Sequence, residues 1–327
     1  MREYLLEKQP IIASTFINAI SKDRLSHAYL LKGEPGSPLK EIAIYLAQSL
    51  VCDDPQPLAC ENCWNCLRIA DGNYADFTLI DGAQSAIKKE AIQILEHNFD
   101  KTSIEVKGKL IYVIHLVENM TDEAVNSLLK FLEEPGKDVY AFLTTENDAR
   151  VLPTIISRTQ VLNVRLQPRK DVINEAISQG IPQEDAELLS YFYNDANLIQ
   201  KHLLDEQYLD TKTLLIALLE ALASDANKAV FVIQNQVSPS LKSKESVRMF
   251  LDLLNDALLS AINLATNNPY VLASYDKILT PLATRLSRAE KLVIEIMKLR
   301  SEIDLNLNLS LVFDHLAYLF FKEFESL

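Results

Sequence analysis

Glycine is scarce, with seven residues in 327, about a third of ordinary usage. Few positions can adopt positive φ cheaply, which excludes a chain of hairpins and tight turns and favours a mostly helical one. Basic residues are also in deficit: 32 Lys plus Arg stand against 45 Asp plus Glu, and the formal net charge of −13 repels phosphate backbones. Any contact with nucleic acid must therefore be local. Long apolar runs are missing. The richest, Leu214 to Ala223, contains Glu220 and falls well short of the roughly 20 residues that span a bilayer. The first residues carry Glu7, Lys8 and Gln9 where a signal peptide needs an apolar core, so a cytoplasmic chain without membrane contact is expected. Cysteine occurs only four times, always between positions 52 and 66. In a reducing interior that crowding points to metal rather than disulfides.

The length allows two or three domains. From residue 26 to about 165, short apolar runs alternate with helix-period segments, the pattern of a parallel sheet covered by helices. The expected strands are Ala28–Leu31, Phe77–Ile80, Leu110–Val117, Tyr140–Thr144 and Val161–Val164. A helix is expected between the third and fourth: Thr121 can cap it, Asp122 and Glu123 suit its positive first turn, and Val125, Leu128, Leu129 and Leu132 recur at helical spacing before Pro135-Gly136 stops it. After Gln167-Pro168 the β-branched runs vanish and amphipathic helices follow. Phe250, Leu254, Ala257, Leu258 and Ala261 form one stripe, Ala289, Leu292, Val293, Ile296 and Leu299 a second, and Leu309, Val312, Phe313, Leu316 and Phe320 a third. Breaks near Tyr208 and at Asn267-Asn268-Pro269 divide a small helical subdomain from a larger bundle. The expected fold class is thus α/β plus all-α, with boundaries 1–166, 167–207 and 208–327.

Cys52, Cys60, Cys63 and Cys66 follow C-x7-C-x2-C-x2-C, and a C-x2-C pair lets two thiolates reach one ion from a single turn. The 52–66 segment reads as an inserted structural zinc knuckle. With four sulfurs its coordination is closed, which leaves no position for water activation. Trp64 reads as packing for that knuckle. His115, at the end of an apolar strand, reads as a core residue, as do His27, His97, His202 and His315. Gly33-Glu34-Pro35-Gly36-Ser37-Pro38-Leu39-Lys40 lies after a first strand and opens a helix, the place of a phosphate-binding loop. Locally, a plain Gly/Pro turn is an equal reading.

Several segments together resemble the delta-prime family of bacterial DNA polymerase III clamp loaders, of the low-GC Gram-positive type. They are Asp23-Arg24-Leu25-Ser26-His27-Ala28-Tyr29-Leu30, Asn65-Cys66-Leu67-Arg68-Ile69 with the cysteine knuckle, Asn126-Ser127-Leu128-Leu129-Lys130-Phe131-Leu132-Glu133-Glu134-Pro135, and Thr154-Ile155-Ile156-Ser157-Arg158. The resemblance runs in the family's order through the first 165 residues, while the helical remainder carries no motif. It implies an AAA+ module with a RecA-like parallel sheet, a small helical lid, and a C-terminal helical collar that joins five subunits in a ring.

The family register sets Pro38 at the glycine before the phosphate-loop lysine, Leu39 at that lysine, and Lys40 at the metal-holding hydroxyl. Proline has no N–H for a phosphate, leucine has no charge for the β and γ oxygens, and a lysine repels Mg²⁺. Where an acidic pair should end the third strand stand His115 and Leu116. The resemblance therefore implies a rigid stator without ATP turnover. Lys40 keeps weak nucleotide binding open. The implied partners are the gamma/tau and delta subunits, with the sliding clamp and primed DNA reached through the assembly. Such a chain belongs to the polymerase holoenzyme, a DNA-directed nucleotidyltransferase, without being an enzyme alone. Of the family's Ser-Arg-Cys motif, Ser157-Arg158-Thr159 remains, and the resemblance gives Arg158 the role of a finger reaching a neighbour's ATP. Local sequence alone makes Arg158 a solvated charge, as it does Lys130, Glu133 and Glu134. The competing readings are an active gamma/tau-like motor, which needs the lost lysine and carboxylates; a stand-alone zinc DNA-binding protein, which the negative charge opposes; and a delta subunit, which lacks the knuckle.

Overall fold

The computed structural model describes residues 1–83, 85–99, 103–134, 136–285, 289–303 and 308–325. They form two compact units, Met1–Gln167 and Pro168–Leu327. Among the described residues no helix is long and apolar enough to cross a membrane.

The first unit is built on five parallel strands, β1 (Ala28–Lys32), β2 (Phe77–Asp81), β3 (Leu110–His115), β4 (Val139–Thr145) and β5 (Gln160–Asn163), in the order β2-β3-β4-β1-β5. Strand periodicity divides the apolar residues between two faces. Tyr29, Leu31, Ile111, Val113 and Phe142 pack with the Pro10–Ser21 and Leu39–Val51 helices, whereas Ala28, Leu30, Tyr112, Ile114, Ala141 and Leu143 pack with the Lys89–Phe99 and Asp122–Glu133 helices. All five expected strands occur, with ends shifted by one or two residues. The largest shift is at β3, which stops at His115 because Leu116 turns left-handed, φ 58°. That conformation is costly for leucine, and the Leu116 N–H is held by Thr144 Oγ1 at 3.0 Å. The expected helix spans Asp122–Glu133 with the Thr121 hydroxyl accepting from the Ala124 N–H at 3.3 Å. Pro135, read as its stop, lies outside the described residues, as does the His97 side chain.

The second unit is all helix, and one buried core runs from Val172 to Phe320. The three expected stripes lie in the Lys244–Ala265, Ala289–Glu302 and Leu309–Glu325 helices. Their apolar residues are buried in this core, with Leu309 partly so and the Ala289 side chain outside the described residues. The break expected near Tyr208 falls earlier: the Glu206–Ser224 helix includes Tyr208, whose buried hydroxyl donates to Asp185 Oδ1 at 2.5 Å.

A partly buried ion pair that the apolar pattern does not signal fastens the Arg169–Ser178 helix to the Lys244–Ala265 helix. Arg169 Nη1 and Nη2 donate to the two carboxylate oxygens of Asp256 at 2.9 and 2.7 Å, Nε donates to Ser190 Oγ at 2.8 Å, and Nη2 also donates to the Glu187 carbonyl. Arg169→Ala leaves the buried Asp256 carboxylate without its partner, and because the pair is only partly buried the cost is about 1–3 kcal/mol. Denaturant unfolding of the full chain should show that loss in the helical unit. Arg169→Lys should recover only part of it, because an ammonium cannot donate in a fork.

Candidate functional site

Three features gather the expected site residues, beginning with the cysteines. The Leu39–Val51 helix ends directly before Cys52, and Cys63 caps the short Trp64–Ala70 helix, which brings Cys66 back towards Cys52. The four Sγ atoms lie within 4.8 Å of one another, with Cys52 and Cys66 buried. Four sulfurs about 2.3 Å from one tetrahedral ion stand roughly 3.8 Å apart, so this donor set fits such an ion after small adjustment. Backbone amides already point at the sulfurs: the Cys60 N–H donates to Cys52 Sγ and the Cys63 N–H to Cys60 Sγ, each at 3.3 Å. The N–H groups of Asn62 and Cys63 bring the Cys60 thiol down to about 7, whereas burial pushes Cys52 and Cys66 up.

Neighbours fix the knuckle from outside. Tyr45 donates to the Ala59 carbonyl at 3.0 Å and Gln48 to the Cys66 carbonyl at 2.8 Å. Arg68 meets Glu105 through Nη1 and Nη2, and Lys107 meets Asp53 at 2.9 Å. Trp64 corrects the sequence expectation. It is 71% exposed on the outer face of its helix, beside the exposed Leu67, and is not packing for the cluster. The helix start at Cys63 turns positions 64 and 67 outward while carrying Cys66 inward.

The second feature is the 33–40 loop at the carboxyl ends of β1 and β4, where open α/β sheets bind ligands. The Gly33 N–H donates to the Thr145 carbonyl at 3.1 Å, and Gly36 supplies the left-handed turn, φ 86°. Pro38 is the residue preceding the Leu39–Val51 helix and has no N–H to direct into the loop. Leu39 is fully buried and turns back beneath the loop: a Cβ on Gly33 would lie 2.9 Å from Leu39 Cδ2 and 3.2 Å from the Ser37 side chain. The side chains of Leu39 and Ser37 thus pack closely against Gly33. Glu146 lies on the other side, and the Gly36 N–H partly offsets the burial and Glu118 charge that raise its pKa.

Lys40 Nζ pairs with Asp81 Oδ2 at 2.5 Å at the end of β2, next to His115 in the β2–β3 register. Burial opposes ionisation of Asp81, yet the Lys40 ammonium and the Ala83 N–H outweigh it and hold its pKa below the usual range. Burial lowers the pKa of His115, and its Nδ1 lies 2.8 Å from Thr144 Oγ1. Lys40 is therefore engaged with the chain's own carboxylate. Asp81 escaped the sequence reading, although a carboxylate ending the second strand was the available signal.

The third feature is Ser157-Arg158-Thr159, which closes the Pro153–Ile156 turn. Ser157 Oγ donates to the Thr154 carbonyl at 3.1 Å, and Thr159 Oγ1 donates to the Ile155 and Ile156 carbonyls. Arg158 Nη1 donates to the Thr154 carbonyl at 3.0 Å and to Ser157 Oγ at 3.3 Å, and Nη2 meets Glu133 Oε1 at 2.6 Å. The guanidinium is about one-third exposed, at the surface rather than in a core. Glu133, a solvated charge by its local sequence, is in the structure the arginine's partner.

Residues 8–168 match the family model described as DNA polymerase III, delta subunit. DNA polymerase III subunit delta′ of Bacillus subtilis is 40% identical over 249 residues, which cover 76% of this chain and 75% of that one. The delta′ subunit of Pseudomonas aeruginosa is 31% identical over half of each chain. Among solved structures, a DNA polymerase III gamma subunit-related protein from Thermotoga maritima aligns over 95% of this chain and 98% of its own, at 20% identity and a TM-score of 0.49. The extent and level of the identity with the B. subtilis subunit show that the chain belongs to the DNA polymerase III delta-prime family.

Proposed function

We propose that this chain is the stator of a clamp loader: a subunit with the shape of an ATP motor that turns over no ATP and helps a ring open and place the sliding clamp on primed DNA. The observation that carries this is that Leu39, at the phosphate-lysine position, is fully buried against Gly33 while Lys40 is tied to Asp81. With neither a phosphate lysine nor metal-organising carboxylates, nothing remains to clamp a transferring phosphoryl group. An active motor of the gamma/tau kind needs the parts that Leu39, Lys40, His115 and Leu116 have replaced. Residual nucleotide affinity, where it exists, is weak and leads to no hydrolysis.

The assembly partners in this reading are gamma/tau and delta subunits in a five-membered ring, with clamp and DNA engaged by the complex. Residues 167–205 serve as the lid and 206–327 as the collar, the boundary lying before the Glu206–Ser224 helix. Arg158 supplies a cation to the ATP of an adjoining motor, and Ser157 orients it. Cys52, Cys60, Cys63 and Cys66 would hold one zinc ion, whose contribution is to cross-link the knuckle rather than to activate water.

The purified chain should hydrolyse no ATP above background, with or without DNA, yet clamp loading by gamma/tau plus delta should require its addition. ATP turnover by the lone chain at rates typical of motor subunits, about 1 s⁻¹ or more, would overturn the stator reading.

A further inference from the structure

We propose that Glu133 is a positioning residue that holds Arg158 back until phosphate oxygens from a neighbouring subunit displace it. This rests on the reading of Arg158 as a finger acting in trans. The guanidinium is held at two points of different character. Nη1 is fixed to its own turn by the Thr154 carbonyl and Ser157 Oγ, which set the root and direction of the side chain. Nη2 donates to a carboxylate on a different element, the last residue of the Asp122–Glu133 helix. Carboxylate and phosphoryl oxygens recognise the same N–H fork, so Glu133 and an incoming phosphate compete for one donor while the Nη1 anchors stay in place.

The strength of the pair suits a release. Glu133 is about half exposed and Arg158 about one-third exposed, and exposed pairs contribute about 0.2–1 kcal/mol. That is too little to forbid engagement and enough to bias it. In the free subunit the pair also neutralises a cation that would otherwise attract any passing anion. Once the phosphate has taken the guanidinium, Glu133 no longer touches it. The competition therefore weighs on nucleotide affinity at the adjoining site and not on the chemical step.

The test uses the reconstituted complex of motor, delta and this chain, with Glu133→Gln, Arg158→Ala and the double variant. Glu133→Gln should lower KM for ATP in DNA-stimulated hydrolysis, and the Kd of a slowly hydrolysed ATP analogue, by a factor of about 1.5–5. It should leave kcat within about twofold, and its effect on the analogue Kd, which needs no turnover, should vanish in the Arg158→Ala background, as a double-mutant cycle requires. A changed kcat at constant KM, or an effect that persists without Arg158, would overturn the holding role. If Arg158→Ala slows hydrolysis but Glu133→Gln changes nothing, the holding role alone fails. If Arg158→Ala changes nothing, the finger reading fails and takes this inference with it.

Discussion

Stripping the zinc proposed for the cysteine knuckle, or replacing Cys66 by Ser, is expected to lower the melting temperature of the first unit by about 10–20 °C. In small peptides, structural zinc contributes about 10–16 kcal/mol of folding free energy. Here part of that is recovered, because the knuckle keeps attachments that need no metal: Tyr45 to Ala59, Gln48 to Cys66, and Arg68 to Glu105. A net loss of about 5 kcal/mol at about 2–4 °C per kcal/mol gives the stated range. Cys66 is the severest position because its thiol is fully buried, so a serine there places an unpaired hydroxyl among sulfurs and apolar side chains. The purified chain should carry one equivalent of zinc and the Cys66→Ser variant far less, while limited proteolysis of the metal-free chain should begin within residues 52–66. Less than about half an equivalent of zinc in undamaged protein, or an unchanged melting curve after chelation, would show that the four sulfurs close together for another reason.

What the sequence made legible follows from how locally each signal is written. β1, β3 and β4 are short apolar runs buried on both faces, so their composition announces them without knowledge of neighbours. The Asp122–Glu133 helix carries its cap, its first-turn acids and its apolar stripe within one dozen residues. The cysteine spacing is local as well. Pairings across long sequence separations were invisible: Lys40 with Asp81, Arg158 with Glu133, and Arg169 with Asp256. A charged residue in isolation reads as solvated, and only the fold decides which charges meet. Trp64 failed for a related reason, since adjacency to ligating cysteines says nothing about the side of the helix on which a residue falls. The N-terminal helices Arg2–Lys8 and Pro10–Ser21 escaped the reading. Tyr4, Leu5, Ile12 and Phe16 of these helices join the core against Tyr29 and Phe142, but without that sheet face in view they are scattered apolar residues.

In the assembled loader, Arg158→Ala should slow hydrolysis at the one adjoining ATP site by about 10³–10⁵, or roughly 4–7 kcal/mol of barrier. The size follows from the chemistry. Charge builds on the equatorial oxygens of the transferring phosphoryl, and a planar cation held rigidly in a water-poor interface meets it with little reorganisation. The Nη1 anchors to Thr154 and Ser157 supply that rigidity in advance. The same substitution should leave the fold intact, because what it removes is a surface ion pair and two hydrogen bonds to a turn that Thr159 also closes. Arg158→Lys should recover only a small part of the rate, since an ammonium presents a point charge without the fork. Because other motor sites in the ring continue to fire, steady-state ATPase will understate the loss. A single-turnover burst resolves it, with one ATP per complex dropping out of the fast phase on primed DNA. A full burst in the Arg158→Ala complex would mean that the adjoining engine finds its cation elsewhere, and Ser157-Arg158 would then be only the end of a turn.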